Sequence, residues 1–205
     1  MRLKNKPWAK PLIAENASRI TQDDHPFVVL HASHAHLEIG MGKGDFIVGK
    51  ASLNPHIYYY GIERATTVFA FALKKVLEHE LPNVHLLLGD FAKFSLTMKD
   101  ETFQTIYLNF SDPWPKLRHH KRRLTAIGNL EKITRILQAS GLLIMKTDNH
   151  DLFAFTLKNL ALFPYDIIFV QEPYDSVEDG DVATEYERYF RDRGEPIYRL
   201  IAKKR

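Results

Sequence analysis

Two rhythms of apolar positions alternate along this chain. Short apolar runs, each closed by an acid, a glycine or a proline, occur at 36–39, 57–62, 84–88, 103–110 and 141–146. Runs of that length and ending predict buried strands. Longer stretches between them carry apolar residues at helical spacing. The clearest is 66–81, with Val68, Phe69, Ala72, Leu73, Val76 and Leu77 on one face. Residues 45–53 predict a helix stopped by Asn54-Pro55, and 11–20, 124–137 and 152–163 fit further helices. After Pro26, Phe27-Val28-Val29-Leu30 is a short apolar run. Two late strands, 167–170 and 197–202, flank an acidic, irregular stretch over 172–187. No clear helix joins them, so one is expected to run antiparallel. Strands alternating with helices predict an α/β fold, a doubly wound and mostly parallel sheet covered on both faces. The 205 residues fit one domain with a basic N-terminal tail over about 1–15, and no repeat interrupts them.

Composition narrows the chemistry. Hydrophobic residues make up 45% and charged residues 26%, enough apolar material for a sizeable core. A net charge of +3 says little by itself, and local clusters carry the information. Cysteine is absent. That excludes disulfides, thiolate metal sites and a cysteine nucleophile, and with it alkylation of pyrimidine C5 through a thiolate adduct. The N-terminal cations Arg2, Lys4, Lys6 and Lys10 precede no apolar signal region, and no run of apolar residues is long enough to span a bilayer. A cytoplasmic location is the expectation.

The chemistry concentrates at strand ends. Asn109-Phe110-Ser111-Asp112-Pro113-Trp114-Pro115-Lys116 follows an apolar run, and its prolines cannot join a sheet ladder. The strand must stop there, leaving Asp112 beside Trp114 at a carboxyl end, where open α/β sheets bind ligands. A carboxylate next to an aromatic suits a nucleobase, by hydrogen bonding and stacking. Trp114 could face the base or pack internally. Glu38-Ile39-Gly40-Met41-Gly42-Lys43-Gly44 is a glycine loop between a strand and a helix. Its Gly-x-Gly-x-Gly spacing, followed by Asp45, departs from the dinucleotide fingerprint. Glu38 and Asp45 would repel a pyrophosphate, so the loop suits a ligand with a cationic or neutral part. Glu63 ends the second strand, where an acid can bind a ribose diol, and Asp90 ends the third, within reach of an adenine amine. Any one of these acids alone is commonly a solvated cap. Four at successive strand ends, without a phosphate cradle, match S-adenosylmethionine, which offers an amine, a ribose diol, an adenine amine and a sulfonium.

The stretch after the turn, Lys116-Leu117-Arg118-His119-His120-Lys121-Arg122-Arg123, is strongly basic. Cations at a helix N-terminus oppose its dipole, so stability does not favour them there; a polyanion such as RNA or DNA would. His31-x-x-His34-x-His36 lacks a matching carboxylate pattern and is read as structural, so no metal is expected.

Taken together, Glu38-x-Gly40-x-Gly42-x-Gly44, Glu63, Asp90, Ser111-Asp112-Pro113-Trp114-Pro115-Lys116 with its basic tail, Lys146-Thr147-Asp148-Asn149 and Thr184-Glu185-Tyr186-Glu187 resemble the tRNA (guanine-N7)-methyltransferases of the bacterial single-chain type. The resemblance runs from about residue 5 to the C-terminus. It implies a Rossmann-like class I S-adenosylmethionine-dependent methyltransferase with a seven-stranded sheet. The implied reaction is methylation of guanosine 46 in the tRNA variable loop, by a monomer or homodimer with no obligate protein partner. Glu38, Gly40, Glu63, Asp90 and Asp112 would form the donor pocket. Lys116, Asp148, Thr184, Glu185, Tyr186 and Glu187 would contact substrate, and Arg118, His119, His120, Lys121, Arg122 and Arg123 would contact RNA. The chain departs from the family pattern in a shorter segment before Glu38 and in Leu117 and His120, where Lys and Glu are common.

Guanine N7 carries an in-plane lone pair and no proton, so its methylation needs alignment rather than a general base. Asp112 is therefore the candidate catalytic group, as a stabiliser of charge developing on the purine. The competing readings are a methyltransferase acting on another RNA base and a non-catalytic RNA-binding paralogue. A nicotinamide enzyme is disfavoured by Asp45 and the glycine spacing.

Overall fold

The structure is a computed structural model describing residues 5–29, 34–174 and 180–205. Among these residues the strands are β1 (Ile20–Gln22), β2 (Ala35–Ile39), β3 (Tyr58–Glu63), β4 (Val84–Leu88), β5 (Phe103–Asn109), β6 (Leu137–Thr147), β7 (Tyr165–Gln171) and β8 (Tyr198–Lys204). The helices are α1 (Ala9–Glu15), α2 (Asp45–Leu53), α3 (Thr66–Glu78), α4 (Phe91–Thr97), α5 (Ile127–Ile136), α6 (His150–Leu160) and α7 (Glu185–Arg191). The strands form one sheet in the order β1-β4-β3-β2-β5-β6-β8-β7. β1 to β6 pair in parallel, and β8 lies antiparallel between β6 and β7. The order reverses at β2, whose neighbours are β3 and β5. The crevice outside the carboxyl ends of β2 and β5 is therefore the topological switch point.

Two cores flank the sheet. On one face Phe94 of α4, Leu130 and Ile133 of α5 and Phe153 of α6 pack over Leu37, Ile62 and Ile106. On the other Ile13 of α1, Ile47 of α2 and Phe69 and Leu73 of α3 pack over Tyr59, Leu86 and Tyr107. Because side chains alternate across a strand, Leu37 enters the first core and Glu38 turns to the α2 side.

The sheet has eight strands where seven were expected. The extra one is β1, three residues long, which registers Ile20 against Leu86 and Gln22 against Leu88. So short a run shows no alternation, and its pairing is a tertiary effect. The helix placed at 11–20 is instead α1, followed by a 3-10 turn at Ala17–Arg19. Residues 9–15 are thus a docked helix rather than tail: Ala9 and Ile13 are buried, and Trp8 meets Phe71 edge-on at 5.0 Å. In the apolar run after Pro26, residues 27–29 form no strand; Phe27 packs its ring on Tyr60 and Phe103 while Val28 is exposed. His31 of the histidine cluster lies outside the described residues. His36 is buried, 3.2 Å from the Tyr107 hydroxyl. Among the described residues no helix is long and apolar enough to cross a membrane.

Candidate active site

The glycine loop leaves β2 and turns at once. The Gly40 and Met41 amides both donate to the Ile62 carbonyl, at 2.9 and 3.0 Å. Gly44 has φ +82°, and a Cβ there would sit 2.8 Å from that of Ala72. A side chain at 44 would meet both strain and collision, so only glycine lets α2 start this close to α3. Asp45, in the first turn of α2, is ion-paired to Lys75 at 2.6 Å and Arg188 at 3.0 Å. It does not face the crevice as a free charge, so the repulsion of phosphate rests on the acids at the strand ends.

Those acids are placed differently. Glu38 is 3% exposed; Asn109 Nδ2 donates to its Oε1 at 2.9 Å, while Glu38 Oε2 and Asn109 Oδ1 are buried without a hydrogen-bond partner. Burial pushes the Glu38 carboxyl up to about 7, against the Asn109 hydrogen bond and the Lys146 charge. Glu63 is half-buried and accepts from the Ala65 amide at 2.8 Å and the Gly42 amide at 3.3 Å. It ties the glycine loop to the end of β3. Burial raises its pKa as well, opposed by those amides. Asp90 caps α4, accepting from Ala92 N at 2.8 Å. Asp112 is exposed, with Arg64 Nη2 3.9 Å away.

The turn carrying Asp112 is held from three sides. Phe110 and Trp114 have φ of 49° and 43°, the left-handed region that costs a bulky residue roughly 1 kcal/mol or more. Phe110 N donates to the Lys146 carbonyl at 2.8 Å. Arg123 Nε donates to the Pro113 carbonyl at 2.7 Å, and its guanidinium lies 4.6 Å from the centroid of the Phe155 ring. Arg123 is 3% exposed, which corrects its assignment to the RNA surface: its charge staples the turn from inside. The basic stretch itself is a 3-10 helix, Leu117–Arg122. Arg118, Lys121 and Arg122 are exposed, as is Lys116 just before it. His119 and His120 are half-buried, edge-on to Trp114 and Phe155. Trp114, flanked by His119 and with Arg122 at 5.0 Å, packs against this helix.

Opposite the turn, Asp148 follows β6, half-buried, and desolvation raises its carboxyl. The acidic stretch ends in α7. Thr184 caps it by accepting from Glu187 N at 2.9 Å. Glu185 reaches back to Lys43 in the glycine loop at 2.7 Å. Tyr186, half its surface exposed, stacks near-parallel to Phe110 at 6.4 Å. Glu187 is fully buried, bonded to Lys146 at 2.8 Å and to Arg191 at 2.8 Å. Both its oxygens are engaged, so it organises the segment and offers substrate no free oxygen in this arrangement.

Sequence reasoning missed α7, although Thr184-x-x-Glu187 has the spacing of a capping box. It also missed α4 and Asp23. Asp23 Oδ2 accepts from the Asp90 amide at 2.9 Å and its Oδ1 meets Lys93 at 3.1 Å, so it backs the turn that presents Asp90.

The fold and its relatives agree. Residues 32–200 match the model of the Methyltransf_4 family, described as "Putative methyltransferase". A tRNA (guanine-N(7)-)-methyltransferase of Limosilactobacillus reuteri is 42% identical over 98% of this chain and 99% of its own length. One of Bacillus licheniformis is 39% identical over 98% of each. Among solved structures, a precorrin-6y C5,15-methyltransferase of Geobacter metallireducens superposes with TM-score 0.60, 13% identity and coverage of 99% of this chain and 90% of that one. A SAM-dependent methyltransferase of Aquifex aeolicus gives 0.58, 15% identity and coverage of 86% and 85%. These two likenesses speak to the fold alone, a Rossmann-like α/β sheet. With its family model and near full-length relatives in agreement, the chain belongs to the tRNA (guanine-N7)-methyltransferase family.

Proposed function

We propose that this chain transfers a methyl group from S-adenosylmethionine to N7 of guanosine 46 in the variable loop of tRNA. The observation that carries the reading is the switch point between β2 and β5, with an acid at the carboxyl end of each of β2 to β5, the glycine loop after β2 and an exposed basic 3-10 helix after β5. The fit to the donor is read from Glu38, whose buried oxygen lacks a hydrogen-bond partner and is suited to an ammonium group. When bound, S-adenosylmethionine supplies an electrophilic methyl on a sulfonium. Glu38 and Gly40 would hold its amine end, Glu63 its ribose diol and Asp90 its adenine amine. Asp112 orients the purine and stabilises the positive charge that methylation leaves on it. Asp148, Lys116 and the segment 184–187 border the acceptor. The same proposal has the chain act on tRNA in the cytoplasm without an obligate protein partner.

The exposed cations Arg118, Lys121 and Arg122 position the RNA through its phosphates. Replacing all three with Ala is expected to weaken tRNA binding and to flatten the dependence of log K on log salt by about 0.7–0.9 for each phosphate no longer neutralised. Filter binding across a salt series checks this, and an unchanged slope would remove the segment from the interface. The reaction itself is tested with labelled donor and unmodified tRNA. Label is expected to enter this RNA but not one carrying 7-deazaguanosine at position 46; label in both, or in neither, would overturn the proposal.

A further inference from the structure

Lys146 is a lysine in the middle of a sheet, 1% exposed. A buried ammonium is tolerated only when paired. Its Nζ lies 2.6 Å from Asp181 Oδ2, 2.8 Å from Glu187 Oε2 and 3.3 Å from the Val182 carbonyl. Phe46 and Tyr174 face the ammonium with their rings at 5.7 and 5.6 Å. All three polar contacts belong to one short segment, 181–187, and gather its two ends onto β6. Stability alone does not require this arrangement, because well-packed apolar residues commonly replace a buried ion cluster at no loss. What the cluster does fix is geometry. Between its two anchors the segment carries Glu185, paired with Lys43 of the glycine loop, while Tyr186 stacks on Phe110. Val182 packs so tightly on α2 that a Cβ at Gly49 would lie 2.7 Å from it, and Lys50 Nζ holds the Gly180 carbonyl at 2.8 Å. Lys146 also stands opposite Asn109, the partner of Glu38, and its carbonyl receives the Phe110 amide.

From this we infer that Lys146 is a positioning residue for the methyl acceptor: its buried ammonium fixes 181–187 over α2 and against the turn of Asp112, setting where the target base sits relative to the donor. The inference rests on the function proposed above. Lys146 touches neither ligand and acts through Asp181, Glu187 and the segment between them.

The test uses the full chain with Lys146→Met, which keeps length and loses charge, and Glu187→Gln, which weakens one arm of the cluster. Donor binding is titrated with S-adenosylmethionine alone, and kcat and KM are measured on unmodified tRNA. Measured about two pH units above the Glu38 carboxyl, so that loss of the Lys146 charge leaves Glu38 ionised, Lys146→Met is expected to keep the donor Kd within about threefold while raising the tRNA KM about tenfold and lowering kcat about tenfold, as a displacement of the acceptor by a fraction of an ångström would. Glu187→Gln shifts KM the same way by about threefold. A folded Lys146→Met with wild-type kinetics overturns the inference, and so does a donor affinity that falls in step with turnover. If Lys146→Met does not fold, an unchanged tRNA KM in Glu187→Gln overturns it, and a raised KM with intact donor binding supports it. A wild-type chain that leaves tRNA unlabelled overturns the function and this inference with it; variant-insensitive labelling overturns this inference alone.

Discussion

Asp112→Asn is expected to lower kcat for methyl transfer by about 10²–10³-fold at saturating donor and tRNA, with donor affinity changing by less than about tenfold. Guanine N7 enters the reaction neutral, and the purine leaves it cationic. A carboxylate fixed beside the base therefore interacts more strongly with the transition state than with the bound substrate, and only that difference accelerates the step. The surroundings of Asp112 suit such a fixed charge. Its turn holds two bulky residues in the left-handed region, and the buried Arg123 pins the Pro113 carbonyl next to it. Arg64, 3.9 Å away and largely exposed, is a loose counter-ion. Asparagine preserves the size and removes the charge. Single-turnover kinetics on unmodified tRNA measure the effect, and near-normal turnover would withdraw the assignment.

Glu38→Gln is expected to move stability and donor binding in opposite directions. The Glu38 carboxyl sits at about 7 in the folded protein, raised by burial from an ordinary 4.5. The folded state therefore holds its proton between those values. Stability from this group is fully present below about pH 4.5 and is lost as pH rises through 7. Above that the ionised, buried carboxylate costs the fold about 3 kcal/mol, since each pH unit between the two values is worth about 1.36 kcal/mol. Glutamine removes that cost. Denaturant unfolding of the free protein at pH 8 should show the variant more stable, by up to about 3 kcal/mol, with the gain vanishing near pH 4.5. Donor affinity should fall at least about tenfold at pH 8, because an amide cannot pair with the donor's ammonium group. In the wild type donor affinity should also weaken below pH 7, by up to about tenfold per pH unit, and this dependence should disappear in the variant. A destabilised variant, or one with unchanged donor affinity, would contradict the role given to Glu38.

The parts of this site legible in the sequence were those written in local grammar. An acid at the end of an apolar run predicts a strand-end carboxylate, and Glu38, Glu63, Asp90 and Asp112 all lie at the carboxyl ends of β2 to β5. Asn54-Pro55 stopped α2 where expected, and the prolines of 113–115 ended the strand before Asp112. What escaped depends on which way a side chain turns. A run of six basic or histidine residues cannot say that Arg123 points inward while Arg118, Lys121 and Arg122 do not. Lys146 falls within a strand-end motif that gave it no role, and its partners, thirty-five to forty-one positions on, lie in a stretch read as acidic and irregular. Asp45 was read as a charge facing the ligand because its partners, Lys75 and Arg188, meet it only in the fold. β1 and Asp23 owe their placement to β4 and the Asp90 turn, through pairings too brief to leave a pattern.

The most direct test of the proposed function is to map the methylated nucleotide. The full chain is incubated with methyl-labelled S-adenosylmethionine and unmodified tRNA, and the labelled RNA is digested to nucleosides and cleaved chemically at N7-methylguanosine. The label is predicted to reside in 7-methylguanosine, with a single cleavage in the variable loop at position 46. Label in an adenosine or another base, or 7-methylguanosine outside the variable loop, would contradict it.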